Sequence, residues 1–215
     1  MGGGGWSRRC LYLGPALDGV TVSRLLSLEP ASSILSLVAE LHGWQFCPRC
    51  SAKLVVDPTN AACPSCGSCY YANSAPTVGA LCEDELGRLM LVRRAIEPKK
   101  GKWDTPGGFL DEGEEPLDGL RRELLEETGL EIEPGEFLGA LIDLYGDGPE
   151  AQYVLSLNWS ARILGGEPTA ADDISEIRWF AVDELPGKEE IGFPCVAEIV
   201  GIWRGRRNLR PDPAE

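Results

Sequence analysis

Histidine is almost absent: His42 is the one imidazole in 215 residues, and it lies far upstream of the most acidic stretch. That argues against a histidine base for any chemistry there and leaves proton transfer to a carboxylate. Cations are scarce as well, with 20 Lys and Arg against 34 Asp and Glu and a net charge of −14. A nucleic-acid binder normally presents a basic stripe to phosphates, so this balance counts against general backbone binding. No apolar run approaches the roughly 20 residues needed to span a bilayer. The opening stretch, residues 11–22, has neither the apolar core nor the cleavage pattern of a signal peptide. These absences point to a soluble, cytoplasmic protein. Its length, with 43% hydrophobic and 25% charged residues, suits one globular domain plus a small module.

Cysteine is present in quantity, eight residues in all. Cys47, Cys50, Cys63 and Cys66 form two CxxC pairs separated by twelve residues. This is zinc-ribbon spacing: each pair makes a knuckle that aims two thiolates at one tetrahedral ion. Four cysteine ligands leave no open coordination position, so the reading is a structural Zn²⁺, a folding staple or docking platform. A redox CxxC is the competing reading, and Cys69 is a neighbouring substitute for Cys66. Cys10, Cys69, Cys82 and Cys195 are scattered, which fits a reducing compartment better than a disulfide scaffold.

The acidic stretch, residues 108–130, reads GFLDEGEEPLDGLRRELLEETGL. Pro116 suits the first turn of a helix, Asp118 favours its positive end, and Gly129 provides a C-terminal stop. Leu117, Leu120, Leu124 and Leu125 form the expected apolar face. Glu123, Glu126 and Glu127, at i, i+3 and i+4, then stack three carboxylates on one face. Such like charges disfavour one another unless a cation neutralises them, and all-oxygen ligation suits Mg²⁺ or Mn²⁺. Pro106, Gly107 and Gly108 predict a tight turn whose backbone can approach metal or phosphate. Arg122 is placed to orient carboxylates such as Glu114.

These residues resemble the Nudix box: Gly108, Glu114 after five residues, and after seven more Arg122, Glu123, Leu124, Leu125, Glu126, Glu127, Thr128 and Gly129. The resemblance, which extends over the ribbon to cover residues 44–206, implies an α/β fold, a Nudix α/β/α sandwich with a mixed sheet, preceded by the zinc ribbon. It implies Mg²⁺-dependent hydrolysis of a nucleoside diphosphate linked to another moiety, with Glu123, Glu126 and Glu127 on the metal. Phosphoryl transfer asks a protein mainly for positioning and charge neutralisation, which agrees. The general base is Glu127 or a downstream acid. Asp172, Asp173 and Glu176 occupy the region where the family often supplies one, and Glu176 is the choice among them.

The chain divides into an extension at 1–43, the ribbon at 44–73, a hydrolase domain at 74–206 and a tail at 207–215. The extension carries helix-like apolar residues behind Gly2 to Gly5, whose tip is expected to be disordered. Strands are predicted at 77–82, 88–94, 137–145, 153–163 and 176–180, the first two as a hairpin, with a second helix at 194–206. Arg93 or Arg94 is placed to clamp a diphosphate, and Lys99, Lys100 and Lys102 form a basic loop. Trp103 reads as core, while Tyr145 and Tyr153 either stack on a base or pack.

NADH pyrophosphatases and NAD-cap removers carry a Ser-Gln-Pro-Trp-Pro-Phe-Pro stretch after the box, where this chain reads EIEPGEFLGALIDLYGDGPEAQ. The ribbon-to-box connection is instead similar to hydrolases of ADP-ribose or FAD, although Tyr145 stands where many ADP-ribose members have proline. The expected substrate is thus a small nucleotide of ADP-ribose or FAD type, yielding a nucleoside monophosphate. The alternatives are NADH or NAD-capped RNA, or a non-catalytic ADP-ribose sensor. As many relatives dimerise, a homodimer is a further option.

Overall fold

The computed structural model describes Leu41 and residues 43–57, 60–148 and 151–208. The expectations for residues 1–40 lie outside the described residues. The chain runs β1 (Val55–Val56), β2 (Asn60–Ala62), β3 (Cys69–Tyr71), β4 (Ala75–Cys82), β5 (Leu89–Arg94), β6 (Trp103–Asp104), α1 (Pro116–Thr128), β7 (Leu130–Tyr145), β8 (Gln152–Gly166), β9 (Ile174–Phe180) and α2 (Pro194–Asn208). Strands β1–β3 form a small antiparallel sheet around Leu41, Leu54, Ala61 and two of the cysteines.

Strand β8 lies between β4, which it meets in parallel, and β7, which it meets antiparallel, so this sheet is mixed. Strands β6, β5 and β9 form a second, antiparallel sheet. Because successive strand side chains point to opposite faces, each strand feeds two cores. Leu89 and Leu91 pack with Ile199, Val200 and Trp203 of α2, while Met90 between them packs with Leu120 and Leu124 of α1. The helices thus cover opposite faces, and the α/β/α sandwich stands. Among the described residues no helix is long and apolar enough to cross a membrane.

Two local expectations need correction. The turn after β4 does form, with Asp84 N–H donating to Arg88 O at 3.1 Å. The hairpin does not extend beyond a single antiparallel bridge, Glu83 to Leu89, because β4 takes β8 as its partner and β5 takes β6 and β9. On α1, Leu120 and Leu124 are fully buried, whereas Leu117 and Leu125 are exposed. The helix therefore rests on a narrower stripe, continued by Glu127 and Thr128. Its ends follow the sequence, with Pro in the first turn and Gly129 at φ 69° donating its N–H to Leu125 O.

Candidate active site

The glycine turn is pinned from both sides. Val78 N–H donates to Gly108 O at 2.9 Å, Ala80 N–H to Pro106 O at 3.0 Å, and Leu110 N–H to Pro76 O at 3.1 Å. These bonds lay the turn along β4. From the other side Gly107 N–H donates to Glu127 Oε2 at 2.9 Å, joining turn and helix. A Cβ on Gly108 would lie 2.5 Å from the Glu123 carboxyl carbon, so this glycine is the space into which that carboxylate fits.

Arg122 organises the acids around it. It holds Glu114 bidentately, Nε to Oε1 at 2.8 Å and Nη2 to Oε2 at 2.7 Å. Its Nη1 donates to Glu123 Oε1 at 2.8 Å and to Glu126 Oε2 at 3.1 Å, and Nη2 donates to Phe109 O at 3.1 Å. Glu114 is drawn down to about 2, first by its Arg122 hydrogen bond. Arg122 is raised in turn, chiefly by Glu114. Arg122 thus contacts three carboxylates at once.

Glu127 is 5% exposed and sits on the buried stripe of α1. Burial, then a hydrogen bond with Asp173, pushes its pKa up to about 9. Glu123 is also raised, by burial first. The loop carrying Asp172 and Asp173 docks on the helix end, Ala171 N–H donating to Glu127 O at 3.0 Å and Thr169 N–H to Thr128 O at 2.9 Å. Glu123, Glu127, Asp172 and Asp173 line one cavity of about 320 Å³ together with Gly107, Gly108 and Arg122. An all-carboxylate wall that raises its own pKa values fits a hard divalent cation, whose charge favours the ionised acids. Glu126 lies beside it, exposed, on the Arg122 guanidinium.

Arg93 and Glu176 do not line the cavity. They are register partners across β5 and β9, and Arg93 Nε meets Glu176 Oε2 at 2.7 Å while the guanidinium covers the Trp103 ring at 4.1 Å. Asp172 and Asp173 are the acids of that region that reach it. The next residue on β5, Arg94, points the other way and does line the cavity. Trp103 is core, edge-on to Phe180. Tyr145 lines the cavity and Tyr153 does not. Asp104, Asp143, Ser156, Phe193 and Cys195 complete the wall without having been singled out in the sequence as site residues. Burial lifts Asp104 to about 6 against the downward pull of Arg94.

Away from this site, the four cysteines offer sulfurs that all lie within 4.8 Å of one another. The two knuckles have the same backbone pattern. Cys47 N–H donates to Ala52 O and Ser51 N–H to Cys47 O, as Cys63 N–H donates to Ser68 O and Gly67 N–H to Cys63 O. The turn-closing Ser51 and Gly67 both have positive φ, 60° and 74°. Cys47 and Cys66 sulfurs are 3.7 Å apart and those of Cys50 and Cys63 3.4 Å. A tetrahedron with 2.3 Å Zn–S bonds has edges of about 3.8 Å, so the cluster fits zinc. Both close approaches run between knuckles, and none of the four is in a disulfide. Cys69 stands apart, its thiol directed at Asn60.

An α/β/α sandwich with a carboxylate helix facing a pinned glycine turn defines a class with relatives of known name. A model of the NUDIX domain matches residues 73–200, and the chain belongs to that family. Over 180 residues, 82% of this chain and 64% of the relative, it is 27% identical to the NAD-capped RNA hydrolase NudC of Chromobacterium violaceum. It is 32% identical to the ADP-ribose pyrophosphatase of Methanocaldococcus jannaschii over 54% of this chain and 67% of that protein. A NUDIX hydrolase structure from Nitrosomonas europaea superposes with a TM-score of 0.62 at 26% identity, covering 78% of this chain and 94% of that one. The chain thus spans less than two thirds of the NudC relative's length.

Proposed function

We propose that this protein is a Mg²⁺- or Mn²⁺-dependent hydrolase of a nucleoside diphosphate linked to another moiety, of ADP-ribose or FAD type, releasing a nucleoside monophosphate. The observation that carries the reading is the convergence of Glu123, Glu127 and Asp173 on one cavity with the glycine turn. Glu123, Glu126 and Glu127 are the residues that would hold the cation. A divalent ion held there would supply charge neutralisation for diphosphate oxygens and would lower the pKa of a bound water. Arg122 holds Glu123 at the cavity and Glu126 beside it, and the backbone of Gly107 and Gly108 leaves room for phosphate. Arg94, paired with Asp104, forms a fixed polar part of the wall. The base is Glu127 or its hydrogen-bonded neighbour Asp173, and Glu176, held by Arg93, is the less favoured acid. The cysteine cluster serves as a structural Zn²⁺ site.

A second reading, hydrolysis of NADH or NAD-capped RNA, has support in the relative named NudC, whose match is longer than residues 73–200 alone. Against it stand the missing Ser-Gln-Pro-Trp-Pro-Phe-Pro stretch and the charge of −14. A panel of ADP-ribose, FAD, NADH and NAD-capped RNA, followed by product chromatography with Mg²⁺, separates the two. Turnover of ADP-ribose or FAD well ahead of NADH and capped RNA is expected. The reverse order would replace the first reading with the second, and tight ADP-ribose binding without any turnover would make the protein a sensor.

A further inference from the structure

Tyr145, the last residue of β7, lines the cavity with its ring already committed to packing. It stacks on Phe193 at a centroid distance of 5.6 Å and an interplanar angle of 17°, and meets Phe109 edge-on at 5.2 Å. A base or flavin therefore finds this ring occupied. Its polar end is another matter. Arg94 Nη2 lies 3.2 Å from the phenolic oxygen, and a guanidinium has no lone pair to offer, so the phenol accepts this bond. The proton on the phenol is left to donate, and among the described residues the Tyr145 hydroxyl has no other hydrogen-bond partner.

Arg94 is itself immobilised. Its Nε donates to Pro98 O at 2.7 Å and its Nη1 to Asp104 Oδ2 at 3.2 Å. The buried Asp104 carboxylate offsets most of the guanidinium charge, so the pair adds little net charge to the cavity. What the pair supplies is polarisation, since an O–H whose oxygen accepts from a cation is a stronger donor. A diphosphate needs such a donor here. One phosphate can be met by a cation at the α1 acids Glu123, Glu126 and Glu127, while oxygens of the other would meet the part of the wall that holds Arg94, Tyr145 and the Asp104 and Asp143 carboxylates.

We propose that the Tyr145 hydroxyl donates to the second phosphate of a diphosphate substrate, the one farther from the helix acids, with Arg94 as its positioning residue. This rests on the hydrolase reading above and adds to it a residue that distinguishes diphosphates from monophosphates. The test is calorimetric titration of ADP-ribose and of AMP, with Mg²⁺, into Glu127→Gln protein with and without Tyr145→Phe. The phenylalanine retains the stack on Phe193 and removes only the hydroxyl. ADP-ribose affinity is expected to fall about tenfold or more, the worth of a hydrogen bond to a charged group, with AMP affinity unchanged. A purely structural role for the hydroxyl would weaken both ligands alike. Equal loss for the two, or loss for neither, overturns the inference while leaving the hydrolase reading intact. If the parent protein binds neither ligand and the wild type turns over no member of the panel, both fall together.

Discussion

Glycine 108 and the Glu123 carboxylate occupy complementary space, so a methyl group on the first must displace the second. Gly108→Ala is expected to raise the Mg²⁺ concentration needed for half-maximal activity at least about tenfold while leaving thermal stability nearly unchanged, as befits a displaced ligand. A Mg²⁺ titration of turnover beside a melting curve checks this. Glu114 makes a pH prediction. Its pKa is lowered from 4.5 to about 2, so its stabilising effect is present above 4.5 and is lost as pH falls toward 2. The stability gap between wild type and Glu114→Gln, measured by urea unfolding, should be full at pH 7 and should narrow steadily from pH 4.5 downward. A gap that widened in acid would contradict the assignment. At this scale the sequence was most legible where the chemistry is local: helical spacing alone gathers Glu123, Glu126 and Glu127. The burial of Glu127 was not read from the sequence, although it lies seven residues after Leu120 on the same stripe. The choice of Glu176 was made without a long-range fact that local sequence does not carry, that β9 pairs Glu176 with Arg93.

Among the elements, the cysteine sheet depends most on its cross-link. Its strands are two or three residues long, and its core is a handful of small side chains closed by Cys47 and Cys63. So few apolar contacts leave such a sheet weak against chain entropy, and a metal held by its four cysteines would stabilise it. Cys63→Ser is therefore expected to lower the zinc content from near one per chain toward zero. It should also abolish slow amide exchange in β1–β3 while sparing β4–β9, as read by elemental analysis and hydrogen exchange. Retained zinc, or loss of protection throughout, would contradict an autonomous staple. Helix α1 was legible nearly to the residue because Pro116 and Gly129 mark its ends. The β4–β5 hairpin was misread because turn chemistry is local, whereas the parallel partner of β4, strand β8, lies some seventy residues onward.

At the scale of the whole molecule, two helices cover opposite faces of the paired sheets, and the cavity forms where the β4 edge, the end of β7, the α1 acids and the first turn of α2 meet. The box and the periodicities of the strands were enough for fold class, and the box contains the glycines and the two glutamates, Glu123 and Glu127, at one end of that cavity. Its other end was not readable, because Asp143, Ser156, Phe193 and Cys195 come from three separated segments with no shared spacing. The central claim is that this cavity hydrolyses a diphosphate through a cation held by its acids. The most direct measurement is the product mixture from ADP-ribose incubated with metal-stripped protein, with Mg²⁺ added back, beside Glu127→Gln. The account predicts AMP and ribose 5-phosphate only when Mg²⁺ is restored, and a loss of at least about a hundredfold in the variant. AMP formed equally in chelator, or undiminished in Glu127→Gln, would contradict it.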